Sequence, residues 1–134
     1  MPPGSYVPSE LPADARKVLV VEDDALIREM VKAVLEYGGY ATVATRDGRE
    51  ALEILAGSGP IDLVLTDVIM PGTVNGVMVA HHAARHRPGV PVILTSGYSD
   101  EFLRAEGVDP RSRLLRKPYR PQELLDEIAA LLPT

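Results

Sequence analysis

A chain of 134 residues, 46% hydrophobic and 25% charged, has room for one domain with a proper core and too little for two ordinary ones. Its net charge of -5 argues against a nucleic-acid surface, no apolar run approaches the roughly 18 residues of a membrane span, and no signal-peptide core opens the chain. Cysteine is absent, which excludes disulfides, thiolate metal sites and Cys nucleophiles, and a cytoplasmic protein is the simplest expectation.

Residues 1–15 hold four prolines with Gly4, Ser5 and Ser9, a composition that gains too little from burial to offset ordering entropy, so a flexible tail is expected before a domain over 16–134. Lys17-Val18-Leu19-Val20-Val21 reads as a buried strand running out into three acids, Glu22, Asp23 and Asp24, the last placed to cap a helix. Ile27, Met30, Val31, Val34 and Leu35 recur at helical spacing until Gly38-Gly39 stops them. A second short strand is predicted over 40–44. Asp47, with Glu50 three residues on, makes a capping-box-like start for a helix carrying Ala51, Leu52, Ile54 and Leu55.

The stretch from Ile61 to Asp67 is apolar and mostly branched apart from Asp62, as in a strand buried on both faces of a parallel sheet, and Asp67 stands where it ends. A loop through Pro71-Gly72 leads to a helix near 75–86 whose buried face uses Val77, Val79, Ala80 and Ala83. A fourth strand is predicted over 90–94, followed by Thr95-Ser96-Gly97-Tyr98 and a short helix from about Ser99; 106–113 is polar and reads as irregular and mobile. Leu114-Leu115-Arg116 forms a brief fifth strand before Lys117-Pro118. Pro121 then opens a last helix with Leu124, Leu125, Ile128, Leu131 and Leu132 on one face.

Five strands alternating with five helices predict an α/β fold, a flavodoxin-like doubly wound five-stranded parallel sheet of order 2-1-3-4-5. The first and third strands are then neighbours, and a strand spacing of about 4.8 Å sets Glu22 and Asp23 within reach of Asp67. Any one of these acids alone could merely cap a helix or end a strand. Together they repel unless a cation sits among them, and a set of hard oxygens suits Mg²⁺ or Mn²⁺. The fourth and fifth strands bring a hydroxyl, Ser96 or Thr95, and the Lys117 ammonium to the same edge. Such a carboxylate can attack a phosphoryl group while lysine and hydroxyl hold the phosphoryl oxygens.

Val20-Val21-Glu22-Asp23-Asp24, Leu65-Thr66-Asp67-Val68-Ile69-Met70-Pro71-Gly72, Pro91-Val92-Ile93-Leu94-Thr95-Ser96-Gly97 and Arg116-Lys117-Pro118 resemble, in order, the four signature segments of the receiver domains of two-component response regulators. The resemblance covers about 17–132. It implies that Asp67 accepts a phosphoryl group from a sensor histidine kinase or a histidine phosphotransfer protein. It further implies that Asp23, Asp67 and the Ile69 backbone carbonyl ligate Mg²⁺ and that Glu22 acts mainly through water. The family's hydroxyl position falls on Ser96, with Thr95 on the opposite face of the strand; Gly97 admits the phosphoryl group, Lys117 pairs with it, and the Lys117-Pro118 bond is expected cis. Homodimerisation on phosphorylation is an outcome the resemblance allows, and it implies neither direct nucleic-acid binding nor a membrane partner.

Family members commonly carry Tyr or Phe three residues before the lysine, where this chain has Leu114, and the loop 70–76 is one residue longer than usual. No DNA-binding or enzymatic output domain fits in the remainder. The expectation is therefore a single-domain regulator, a relay intermediate or the receiver of a hybrid histidine kinase, a signalling phosphoacceptor rather than an enzyme. Apolar Ile69 and bulky Tyr98 beside the phosphoryl group predict slow autodephosphorylation. A Mg²⁺-dependent aspartyl-phosphate phosphatase is the alternative from the enzyme class, but it needs a second acid two residues after the nucleophile, and Ile69 stands there. A degenerate receiver serving only as a docking module is opposed by the presence of Glu22, Asp23, Asp67, Ser96 and Lys117. His81, His82 and His86 read as a solvated helix surface, and the five arginines from Arg104 to Arg120 as a solvated loop or a dock for an acidic partner.

Overall fold

The computed structural model describes residues 11–70, 72–109 and 112–133. Its elements follow one another as β1 (Lys17–Val21), α1 (Ala25–Tyr37), β2 (Ala41–Thr45), α2 (Gly48–Ala56), β3 (Leu63–Asp67), α3 (Gly76–His86), β4 (Val92–Ser96), α4 (Asp100–Ala105), β5 (Arg113–Arg116) and α5 (Pro121–Leu131). All strands are parallel and lie in the order β2-β1-β3-β4-β5, as the alternation of elements predicts. Of the tail expected over 1–15, residues 1–10 lie outside the described residues, and the rest includes a turn closed by the Ala15 N–H on the Pro12 carbonyl at 3.1 Å.

Alternation along the strands sorts side chains to the two faces of the sheet. Val18, Val20, Leu63 and Leu65 join Val31 and Leu35 of α1 and Leu124 and Ile128 of α5. Leu19, Val21 and Val64 join Ala51 and Leu55 of α2 and Val79 and Ala83 of α3 on the other face. With helices on both sides, all five residues of β3 are buried, which is why the strand reads as an apolar run through Leu63, Val64 and Leu65 before Thr66 and Asp67. A third cluster, Val68, Leu94, Leu103 and Val108, sits beneath α4. Val108 belongs to the stretch read as polar and irregular. Its N–H bonds the Leu103 carbonyl at 3.0 Å, which turns the chain after α4 back onto the sheet and buries the valine.

Helix starts are set by side-chain caps. Asp24 accepts from the Ile27 N–H, Asp47 from Glu50, Asn75 from Met78 and Ser99 from Phe102, at 2.9 to 3.2 Å. Glu50 reaches back to the Arg46 N–H at 2.9 Å, one residue earlier than a capping box requires. β4 begins two residues later than predicted. The Val90 N–H is spent in a turn on the Arg87 carbonyl, and Pro91 has no N–H to give, so pairing with β3 runs from Val64 against Val92 to Asp67 against Thr95.

The Arg87 guanidinium donates to the carbonyls of Ile54, Leu55, Gly57 and Gly59 at 2.6 to 3.2 Å. It thereby satisfies the carbonyls left open where α2 ends and fastens that end to α3. No helix among the described residues is long and apolar enough to cross a membrane.

Candidate functional site

Because Val21 pairs with Thr66, the residues that follow β1 emerge beside Asp67 at the carboxyl edge of the sheet. Glu22, Asp23 and Asp67 each offer a carboxylate oxygen, and these oxygens lie within 4.8 Å of one another. Glu22 and Asp67 are buried and Asp23 is exposed. Lys117 comes from just beyond β5, its N–H on the Ser96 carbonyl at 2.9 Å, and the bond to Pro118 is cis. Its ammonium stands 2.6 Å from Asp67 Oδ1 and 3.2 Å from Glu22 Oε1.

The hydroxyl on Asp67 is that of Thr95, whose Oγ1 donates to Asp67 Oδ1 at 2.8 Å. This corrects the reading that Thr95 faces away. Thr95 is the direct cross-strand partner of Asp67, and paired residues project to the same side of a sheet. Ser96 Oγ instead accepts the Tyr98 N–H at 3.0 Å. Thr95 and Ser96 nevertheless both line one cavity of about 170 Å³ together with Asp67, Gly97 and Lys117. Ile69 and Tyr98 complete its wall, 49% and 50% exposed.

Burial raises the Glu22 pKa from 4.5 to about 8, with the hydrogen bond and charge of Asp67 adding to the shift and Lys117 opposing it. For Lys117, burial acts downward, but hydrogen bonds and charges from Asp67 and Glu22 outweigh it and hold the ammonium above its ordinary value. Three acids around one ammonium leave negative charge in excess. A proton on Glu22 relieves it, and a hard divalent cation would relieve it better. Donor chemistry and spacing therefore fit Mg²⁺ or Mn²⁺. Since the cation competes with that proton, we expect affinity for Mg²⁺ to rise with pH between about 6 and 8, by up to about tenfold per unit. Titration calorimetry at pH 6.5 and 8.5 measures this, and equal affinities at the two pH values would contradict it.

Asp67, Glu22, Asp23 and Lys117 thus meet at one edge, Ser96 lines the cavity while Thr95 holds the hydroxyl hydrogen bond to Asp67, and Ile69 forms part of the wall. Two features escape a linear reading, the Thr95 contact and the pairing of Glu22 with Lys117 across 95 residues. Only the cross-strand register carries the signal for the first. Away from this edge, the His82 and His86 rings stack at 5.7 Å, and the acidic trio is the one group of three or more potential metal ligands among the described residues. Of the arginines, Arg113 pairs with Glu127 and Arg120 with Glu123, while Arg111 lies outside the described residues.

Residues 18–129 match the family model of the response regulator receiver domain. The chain is 36% identical over 121 residues to the phosphate regulon transcriptional regulatory protein PhoB of Escherichia coli, covering 88% of this chain and 52% of that protein. It is 33% identical over 117 residues to the response regulator MprA of Mycolicibacterium vanbaalenii, covering 87% of this chain and 50% of the relative. The chain therefore spans about half the length of either. Among solved structures, a response regulator receiver protein from Sinorhizobium medicae aligns with a TM-score of 0.82 at 27% identity, covering 90% of this chain and 96% of that one.

Proposed function

Because this chain belongs to the response regulator receiver domains, we propose that Asp67 accepts a phosphoryl group from a phosphohistidine and that its phosphorylation changes what the domain binds. The carrying observation is Asp67 itself, a buried carboxylate opening onto a small cavity and held by Lys117 Nζ at 2.6 Å and Thr95 Oγ1 at 2.8 Å. Its carboxylate oxygen attacks phosphorus as the phosphorus–nitrogen bond of the donor breaks, and the electron pair of that bond returns to the imidazole. Lys117 would pair with the new phosphoryl oxygens, and Ser96, which lines the cavity, would donate its hydroxyl to them. Thr95 fixes the Asp67 carboxylate throughout. Glu22, Asp23, Asp67 and the Ile69 carbonyl would hold Mg²⁺ or Mn²⁺, which when bound neutralises phosphoryl charge.

The donor in this reading is a sensor histidine kinase or a histidine phosphotransfer protein, in the cytoplasm, without direct contact to nucleic acid or membrane. The chain is a signalling module that assists its own phosphorylation and dephosphorylation rather than an enzyme on other substrates. Pairing of two copies is one output open to it. Incubation with acetyl phosphate and Mg²⁺ should add one phosphoryl group by intact mass, and Asp67→Asn should add none. No added mass, or mass retained in Asp67→Asn, would sink the proposal.

The apolar rim favours a long-lived acyl phosphate. Ile69 leaves no side chain able to orient an attacking water, and the half-exposed Tyr98 lines the same cavity. Ile69→Asn is expected to shorten the half-life of the phosphoryl mass several-fold by supplying a hydrogen-bonding group there. An unchanged half-life would remove the rim from the account.

A further inference from the structure

The two acids that follow β1 are aimed at Asp67 in different ways. Glu22 is buried, its N–H on the Thr45 carbonyl of β2 at 3.1 Å and its carboxylate against the Lys117 ammonium at 3.2 Å. Asp23 is exposed, and among the described residues no hydrogen bond or ion pair holds its side chain. Its aim therefore depends on its backbone. The peptide joining Glu22 to Asp23 is held through the Glu22 carbonyl, which accepts from Arg28 Nη1 at 3.0 Å. On the far side Asp24 is fixed by its cap on the Ile27 N–H at 3.0 Å, and its carbonyl takes the Arg28 N–H at 2.9 Å. The half-buried Arg28 otherwise stands in an unfavourable place. It lies in the opening turn of α1, where the helix dipole disfavours a cation, and close to a set of carboxylates from which its charge would repel a metal ion. A residue that breaks a local rule is expected where the site gains from it.

We infer that Arg28 is a positioning residue for the cation: its guanidinium locks the peptide between Glu22 and Asp23 so that Asp23 faces Asp67 before an ion arrives, and this gain outweighs the repulsion of its charge. A guanidinium suits the task, since its hydrogen bond to a carbonyl is charge-assisted and its planar fork gives up little freedom in making it. Without that bond the peptide is free to turn, and the exposed Asp23 carboxylate spends part of its time directed at solvent. The ion must then order the turn as it binds, which costs affinity. The two effects of Arg28 have opposite signs and can be separated. If Arg28 acted only as a charge, its removal would tighten Mg²⁺ binding; because it acts as a clamp, its removal weakens it. The inference rests on Glu22, Asp23 and Asp67 holding the cation.

The test titrates Mg²⁺ into the full chain labelled with nitrogen-15, reading Kd from amide shifts and backbone order from amide relaxation in the metal-free protein. Arg28→Met is expected to raise the Kd about tenfold, the scale of losing a group that orients a metal ligand. The order parameter of the Asp23 amide should fall from the rigid range of about 0.85 toward about 0.6 and recover when Mg²⁺ is added. Lys32→Met, which removes a positive charge one turn further along α1, should leave the Kd unchanged or lower it. A Kd unchanged or lowered in Arg28→Met would overturn this inference alone, as would an undiminished Asp23 order parameter or an equal rise of Kd in Lys32→Met. A loss of stability by itself lowers the urea midpoint and leaves the Kd of the folded chain in place, so it counts with the unchanged Kd. No saturable shift in the wild-type chain would overturn the metal reading and this inference with it. Arg28→Gln, neutral and shorter, carries the same expectations and decides the matter if Arg28→Met does not fold.

Discussion

Replacing Lys117 with Met is expected to slow loading of Asp67 by acetyl phosphate by about 100-fold or more, the scale of losing a preorganised charge at a reacting centre. The ammonium is the one cation within ion-pair distance of Asp67 and Glu22 among the described residues, so its removal leaves two buried carboxylates facing each other. A second signature separates this from a merely slower enzyme-like step. Glu22 has a folded pKa of about 8 against 4.5 when unfolded. The folded chain therefore holds a proton that the unfolded chain has released, and stability, full below pH 4.5, falls as pH rises through the window to about 8. Lys117 opposes the upward shift of Glu22. Without it the folded pKa climbs further and the loss at alkaline pH grows. We expect Lys117→Met to cost about 2 kcal/mol at pH 8, below the value for a fully buried pair, because Lys117 keeps 30% of its surface exposed. At pH 5 the difference should be smaller. Urea unfolding at the two pH values measures both, and a cost independent of pH would contradict the assignment of Lys117 as counter-charge to Glu22.

The residues that make the fold readable are those whose neighbours in sequence are also their neighbours in cause. Val18, Leu19, Val20 and Val21, like Leu63, Val64 and Leu65, are apolar because both faces of the central strands are covered, and Asp24, Asp47 and Ser99 cap helices that begin at the next residue. Strand ends rich in acid then point to one edge, which is enough to assemble Glu22, Asp23 and Asp67. The phase of β4 is different in kind. From Val90 to Ser96 the composition suits a strand throughout, and what sets its start is the pairing of Val64 with Val92, a property of two segments. The choice between Thr95 and Ser96 inherits that ambiguity, since one residue of register exchanges the side chain that meets Asp67. Arg87 is opaque for the same reason. Its four acceptors lie 28 to 33 residues earlier, and nothing local marks an arginine after a helix as the clasp of another helix.

Gly76 is the remaining position at which fold and site depend on one atom. It opens α3, its N–H on the Val68 carbonyl at 2.8 Å. A Cβ there would fall inside contact distance of the Asp67 carbonyl oxygen, and within 2.8 Å of the Asp67 carbonyl carbon and of Val68 Cα. These obstacles are backbone and cannot turn aside as a flexible side chain would. Either α3 withdraws from the sheet, opening the layer of Val79 and Ala83 against Leu19 and Val64, or the end of β3 moves and takes Asp67 with it. Gly76→Ala is thus expected to destabilise the chain by about 3 kcal/mol, the upper range for overpacking, although alanine is the better helix former. It should also slow acetyl phosphate loading on the order of 100-fold, since a displacement near 1 Å at a reacting group costs about that much. Gly59→Ala is the control, with no atom within 4 Å of its Cβ and an expected change within about 0.5 kcal/mol. Urea midpoints and the rate of mass gain report the two effects separately. If Gly76→Ala unfolds at the wild-type midpoint and loads at the wild-type rate, the close approach of α3 to the Asp67 backbone is not what positions the acceptor.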